Sequence, residues 1–187
     1  MTLDSTLVVQ GINRASFGGG YMVLVGRCVL KLGDHINTDL IYPGQYLKIS
    51  DPREMAKHAL EGIVDGFWKS ARPGDILVAG ENLGCGSSRT QSVESLRAAG
   101  IQAIVASSFA RSFYRNSINH GLAALRSDAA AEIRQGDELR IDLDRLTIDT
   151  PRGQFSFDPH PQLLSDIISL GGLVQLGKEV LAGRYRM

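Results

Sequence analysis

The spacing of hydrophobic positions changes along this chain between Leu125 and Asp137. Before that boundary, short apolar runs alternate with segments of helical spacing. Val23, Leu24, Val25, Val29 and Leu30 predict a strand from Tyr21 to Leu32, interrupted at Gly26, and Ile76–Ala79 predicts another. Val93, Leu96 and Ala99 then recur at the interval of a helix that ends at a capping Gly100. Ile101–Ala106 reads as a buried strand, Phe109–Asn119 as a helix carrying Phe113, Tyr114 and Ile118, and Leu122–Leu125 as the next strand. Strand, helix, strand, helix in this order predicts parallel βα crossovers. Beyond the boundary, Leu139, Ile141 and Leu143 alternate with charged residues, Asp144-Arg145 interrupts, and Leu146 and Ile148 resume. This predicts an antiparallel hairpin with one wet face over Asp137–Phe157. Gln162–Leu170 returns to helical spacing and ends at Gly171-Gly172.

The breaks between these segments carry their own signals. Residues 1–20 are weakly patterned and finish in Phe17-Gly18-Gly19-Gly20, which predicts a flexible lead-in to one α/β domain over 21–187. Gly33-Asp34-His35-Ile36-Asn37-Thr38-Asp39 is a loop of small polar groups able to bond backbone or substrate. Pro43-Gly44 marks a turn, and Ser50-Asp51-Pro52 supplies an N-cap and a first-turn proline for a helix with Met55, Ala59 and Leu60. Phe67 and Trp68 are expected as core or interface anchors.

Composition narrows function more than fold. The 187 residues include 20 basic and 20 acidic ones, with no basic run, so there is no electrostatic case for nucleic acid or a membrane surface. The apolar runs fall short of a bilayer span, and Met1-Thr2-Leu3-Asp4 begins no signal sequence, so a soluble cytoplasmic protein is expected. Cys28 and Cys85 lie far apart, which leaves no CxxC metal framework and disfavours a disulfide in a cytosolic chain.

Chemistry concentrates in Asn82-Leu83-Gly84-Cys85-Gly86-Ser87-Ser88-Arg89, between the Ile76–Ala79 strand and the helix that follows. Glycines let backbone approach a ligand closely, a helix start favours anions, and Arg89 offers a planar fork for carboxylate or phosphate. Ser87 and Ser88 can equally serve as structural caps of that helix. The Gly-x-Ser-x-Gly pattern of a hydrolase is not met, nor is a phosphate loop with Lys. A Cys85 thiolate nucleophile and a serine alkoxide base both remain open.

The runs Gly33–Asp39, Tyr46-Leu47, Gly74–Gly80, Gly84–Arg89, Ala98–Ile101 and Ser108–Asn116 resemble, in order, the small subunit of 3-isopropylmalate dehydratase. That subunit is the swivel-domain part of the aconitase superfamily, and the resemblance covers Gly26 to Gly172. It implies a three-layer β/β/α swivelling domain with a barrel-like β core. It also implies a hydro-lyase, active only with a large subunit, that removes and re-adds water on a 2-hydroxy di- or tricarboxylic acid, as in leucine biosynthesis. In the family the large subunit holds a [4Fe–4S] cluster through three cysteines, more than this chain's two. No residue here is expected to ligate metal. Carried over by position, Ser87 is the base that takes the carbon-bound proton, Asp39 positions acid–base groups, and Ser88 and Arg89 bind substrate carboxylate. Lys48 is a further substrate-binding residue. After Tyr-Leu the family uses arginine for substrates with an extra carboxylate and an apolar residue for isopropylmalate, so Lys48 leaves that choice open; an isopropylmalate-like substrate is expected, with dimethylmalate or homoaconitate relatives as the nearest alternative.

The chain departs from the family pattern at Thr90-Gln91, where Glu-His is usual, at Gln45 for arginine, and at Ser107 for lysine. These departures favour an altered substrate or a divergent paralogue; the alternative is a non-catalytic swivel domain that binds a carboxylate or a protein partner. Among the remaining polar residues, His35 lies near the matched Asp39. His58 is expected on a helix surface, His120 as a helix-end cation and His160 in a loop. Arg111 and Arg115 are read as salt-bridged structural residues, with a partner or site role as the alternative, and Cys28 as core.

Overall fold

The computed structural model describes residues 22–185. Its strands are β1 Val23–Lys31, β2 Asp75–Ala79, β3 Ile101–Ala106, β4 Ala123–Arg126, β5 Glu138–Asp142, β6 Thr147–Thr150 and β7 Gly153–Ser156. They form one seven-stranded sheet in the order β4-β3-β2-β1-β5-β6-β7. Pairs among β1 to β4 are parallel, whereas β1–β5, β5–β6 and β6–β7 are antiparallel. The change of hydrophobic rhythm in the sequence is this change of pairing, and β1 is the seam.

Uninterrupted apolar runs in β2 and β3 reflect burial on both faces of the parallel half. Ile76, Val78, Ala103 and Val105 point into one core with Leu139, Ile141, Ile148 and Phe157. Leu77, Ala79, Ile104 and Ala106 point into the other with Ile41, Leu60, Phe67, Val93, Leu96 and Phe113. The sheet curls as a half-barrel between these cores, which matches the expected α/β class, the β/β/α layering and the barrel-like β core.

The helices are α1 Thr38–Ile41, α2 Pro52–Lys57, α3 Gln91–Ala98, α4 Arg111–Asn119, α5 Ala129–Glu132, α6 Gln162–Leu170 and α7 Leu173–Leu181. Asp51 caps α2 by accepting from Arg53 N, with Pro52 in the first turn, as the sequence predicts. Several expectations change. Gly26 does not interrupt β1. The 137–157 region is a three-stranded meander: β7 is mostly exposed and carries no alternation that a hydrophobic pattern could reveal. Gly171-Gly172 does end α6, but α7 starts directly after it. Phe67 is core, whereas Trp68 is 39% exposed. The lead-in expected at 1–20 lies outside the described residues.

Candidate active site

Beyond the C-terminal ends of β1, β2 and β3 the chain keeps running side by side, with parallel bridges between Asn37 and Cys85 and between Leu83 and Phe109. Gly84 N donates to Ile36 O at 2.8 Å and Thr38 N to Cys85 O at 2.9 Å. On the other side Leu83 N donates to Ser108 O at 3.1 Å and Ala110 N to Leu83 O at 2.9 Å. Side chains seal the same junctions: Asp34 Oδ1 accepts from Glu81 N at 2.7 Å, and Ser108 Oγ from Asn82 N at 2.8 Å. The matched runs 33–39, 82–89 and 108–116 thus form one spatial cluster.

Two glycines let this loop fit. Gly84 has φ +80°, and a Cβ there would lie 2.1 Å from Phe113 Cγ; Gly86 has φ +97°, and its Cβ would lie 2.5 Å from Asn37 Nδ2. Asn37 caps α1, its Oδ1 accepting from Asp39 N at 2.8 Å. That short helix holds Asp39 against the loop, where Arg89 Nη1 meets Asp39 Oδ1 at 2.5 Å. The two side chains are 35% and 55% exposed. An ion pair this wet contributes at most about 1 kcal/mol, so Arg89 can exchange Asp39 for an incoming carboxylate at little cost.

Ser87 is half-buried, and its hydroxyl has no hydrogen-bond partner among the described residues. Ser88 is exposed, and its carbonyl accepts from Asn116 Nδ2 on α4 at 3.0 Å. Neither serine caps the following helix: α3 begins at Gln91 with Thr90 at the N-cap and no side-chain cap bond. The positive charge beside the serines therefore comes from Arg89, with the helix end one turn further on. Lys48 is exposed and unpaired among the described residues. The member of its turn that reaches the ion pair is Gly44, whose added Cβ would lie 3.3 Å from Arg89 Nη1 and 3.7 Å from Asp39 Oδ1.

The structure thus brings Asp39 and Arg89 into contact and sets Ser87 and Ser88 on the same loop, while no contact ties Lys48 to them. Asn37, Gly44 and Asn116 complete the frame and are absent from the sequence-based selection. An Asn before Thr-Asp is a capping signal that could have found Asn37; Gly44 and Asn116 have no local signal, because their roles depend on tertiary approach.

The remaining polar residues sort clearly. His35 borders the site, its Nδ1 3.2 Å from Asn82 Nδ2. His58 is at the C-cap of α2, half-buried and paired with Glu61. His120 ends α4 near Glu94, as expected. His160 meets Tyr114 OH at 2.9 Å, and burial pushes its pKa down. Arg111 and Arg115 are exposed without ion pairs among the described residues, which corrects their reading as salt-bridged. Cys28 is fully buried, its thiol pushed up to about 11 by burial, and Cys85 donates to His35 O; both thiols are free. No cluster of three or more His, Cys, Asp or Glu side chains fit to hold a metal occurs among the described residues. No helix among them is long and apolar enough to cross a membrane.

Residues 35–130 match the family model of the aconitase C-terminal domain. A 3-isopropylmalate dehydratase small subunit from Nautilia profundicola is 47% identical over 162 residues, covering 85% of this chain and 96% of the relative. The 3-isopropylmalate dehydratase small subunit 1 of Archaeoglobus fulgidus is 43% identical over 152 residues, covering 80% and 94%. A crystal structure of 3-isopropylmalate dehydratase from Methanocaldococcus jannaschii superposes with a TM-score of 0.80 at 43% identity, over 87% of this chain and 98% of that one.

Proposed function

This chain belongs to the family of 3-isopropylmalate dehydratase small subunits, within the aconitase superfamily, and from that premise we propose that it completes the active site of a cytoplasmic, two-subunit hydro-lyase. The substrate is 3-isopropylmalate or a close 2-hydroxy acid, and the reaction is reversible dehydration. The observation that carries this reading is the wet Arg89–Asp39 pair on the same loop as Ser87, whose hydroxyl has no hydrogen-bond partner among the described residues, at the C-terminal ends of parallel strands.

Arg89 leaves Asp39 to take a substrate carboxylate, and Ser88 adds a hydroxyl to the same anion. Ser87, as its alkoxide, accepts the proton from the carbon next to the one bearing the hydroxyl. The electron pair of that C–H bond becomes the new C=C bond as the hydroxyl, protonated by a general acid that the large subunit would supply, leaves as water. Arg89 stabilises the serine anion and the substrate anion alike. Asp39, released from Arg89, remains on α1 to orient the acid–base groups. Lys48, with no competing partner among the described residues, is free to reach a substituent of the substrate.

The residues of this chain do not fit an iron–sulfur cluster: Cys28 is sealed in the core, and Cys85 stands alone on its loop. We assign a [4Fe–4S] cluster to the large subunit, where it would supply Lewis acidity toward the substrate's hydroxyl. The isolated chain is then a half-site that binds substrate weakly or not at all; micromolar binding to it by calorimetry would contradict this.

The direct test is co-expression with the large subunit and an anaerobic hydration assay on a panel of unsaturated dicarboxylic acids. Ser87→Ala should lower turnover by about 10²–10⁴-fold. A cluster-loaded complex that turns over none of the acids, or a Ser87→Ala complex as active as wild type, overturns the proposal.

A further inference from the structure

We propose that His58–Gly62 is a clamp that sets the geometry of the Asp39–Arg89 pair, with Glu61 as its principal positioning residue. The link to catalysis rests on the functional reading above; the clamp itself rests on geometry alone.

The segment grips both elements that flank the ion pair. On one side its backbone holds α1, because Leu60 N donates to Ile41 O at 2.7 Å. Gly62 lies so close to the same helix that a Cβ there would be 2.7 Å from Leu40 Cα, leaving no room for a side chain. On the other side its side chains hold the Gly44–Tyr46 turn. Glu61 Oε1 accepts from Tyr46 OH at 2.8 Å, and its Oε2 meets His58 Nδ1 at 2.5 Å. The His58 ring stacks on Tyr46 with centroids 3.6 Å apart and planes within 15°. Tyr42 OH adds a bond to Tyr46 O at 3.0 Å. Helix α1 carries Asp39 and the turn carries Gly44, so one segment fixes two walls of the site.

Two further features bear on how firmly this segment is held. Leu60 is fully buried at φ +56°, a left-handed conformation that a leucine keeps only where its surroundings over-determine it. Burial works to raise the Glu61 carboxyl, yet the hydrogen bonds from His58 and Tyr46 outweigh it and hold the group below its usual range. Glu61 is thus the ionised hub that ties the end of α2 to the 44–46 turn. Small displacements of a positioning group are costly: about 1 Å is enough for a hundredfold loss in rate.

The test uses Glu61→Gln and Tyr46→Phe, the second keeping the stacked ring and removing only the hydroxyl. Amide hydrogen exchange of the full chain reports the clamp without turnover. Exchange at the Tyr46 and Leu60 amides should speed up by about tenfold in Glu61→Gln, with Leu77 in β2 unchanged. In the complex with the large subunit, KM should rise about tenfold while the thermal midpoint moves little. Unchanged exchange at Tyr46 and Leu60 in both variants overturns the clamp, whatever the activity. Faster exchange with unchanged KM and kcat overturns its link to the site. If the wild-type complex turns over nothing, the functional reading fails, and exchange alone decides the clamp.

Discussion

Replacing Gly86 with alanine tests how the loop and α1 are coupled. The residue sits at φ +97°, which costs a non-glycine residue about 1–2 kcal/mol. The new Cβ would also fall 2.5 Å from Asn37 Nδ2 and 2.7 Å from Asn37 Oδ1, a clash that costs about 1–3 kcal/mol to relieve. Asn37 cannot retreat freely, since its Oδ1 is the acceptor that caps α1 through Asp39 N. Asn37→Ala alone should remove only the cap, about 0.5–2 kcal/mol. In the double variant the clash is gone, so the second substitution should cost less than it does alone. The coupling is then about 1–3 kcal/mol in the direction of relief. Urea denaturation of the wild type, both single variants and the double variant measures it. Strict additivity would refute the claim that Gly86 makes room for the cap; a Gly86→Ala protein as stable as wild type would refute the strain argument altogether.

Three more predictions follow from the same geometry. Arg89→Lys keeps the charge but loses the planar fork, and should lower kcat/KM of the complex by about ten- to a hundredfold, measured by steady-state hydration. Burial holds the His160 pKa below its unfolded value, so its contribution to stability is complete above about pH 6.5 and is lost as pH falls through the folded-state value. Denaturation midpoints should therefore drop on acidification below that point, and His160→Gln should flatten this part of the profile. Thiol labelling at pH 8 should modify Cys85 alone, with Cys28, whose thiol is pushed up to about 11, reacting only after denaturation.

Much of this molecule was legible in its sequence because its parallel half obeys local rules. The runs at Ile76–Ala79 and Ile101–Ala106 became β2 and β3 almost residue for residue, and the loop between β2 and α3 carries the candidate residues Ser87, Ser88 and Arg89. What local patterns missed was decided by tertiary packing. Gly44 looks like any turn glycine until Arg89 is set against it. Strand β7 pairs along its backbone with β6 while leaving most of its side chains in water, so no alternation announces it. The serines look like caps, yet α3 begins only at Gln91 with Thr90 at its N-cap, so neither hydroxyl makes a capping bond.

The seam strand also has a consequence for how the protein must be made. The portion that matches the family domain, residues 35–130, contains the proposed catalytic residues but not β1, which neighbours β2 on one side and β5 on the other. A gene fragment cut to those limits would leave β2 with a bare hydrogen-bonding edge, a template for self-association. On the ribosome, β1 emerges early but waits for β5, about a hundred residues later, before both of its edges are covered. Soluble expression should therefore require the C-terminal meander, although that meander supplies none of the proposed catalytic groups.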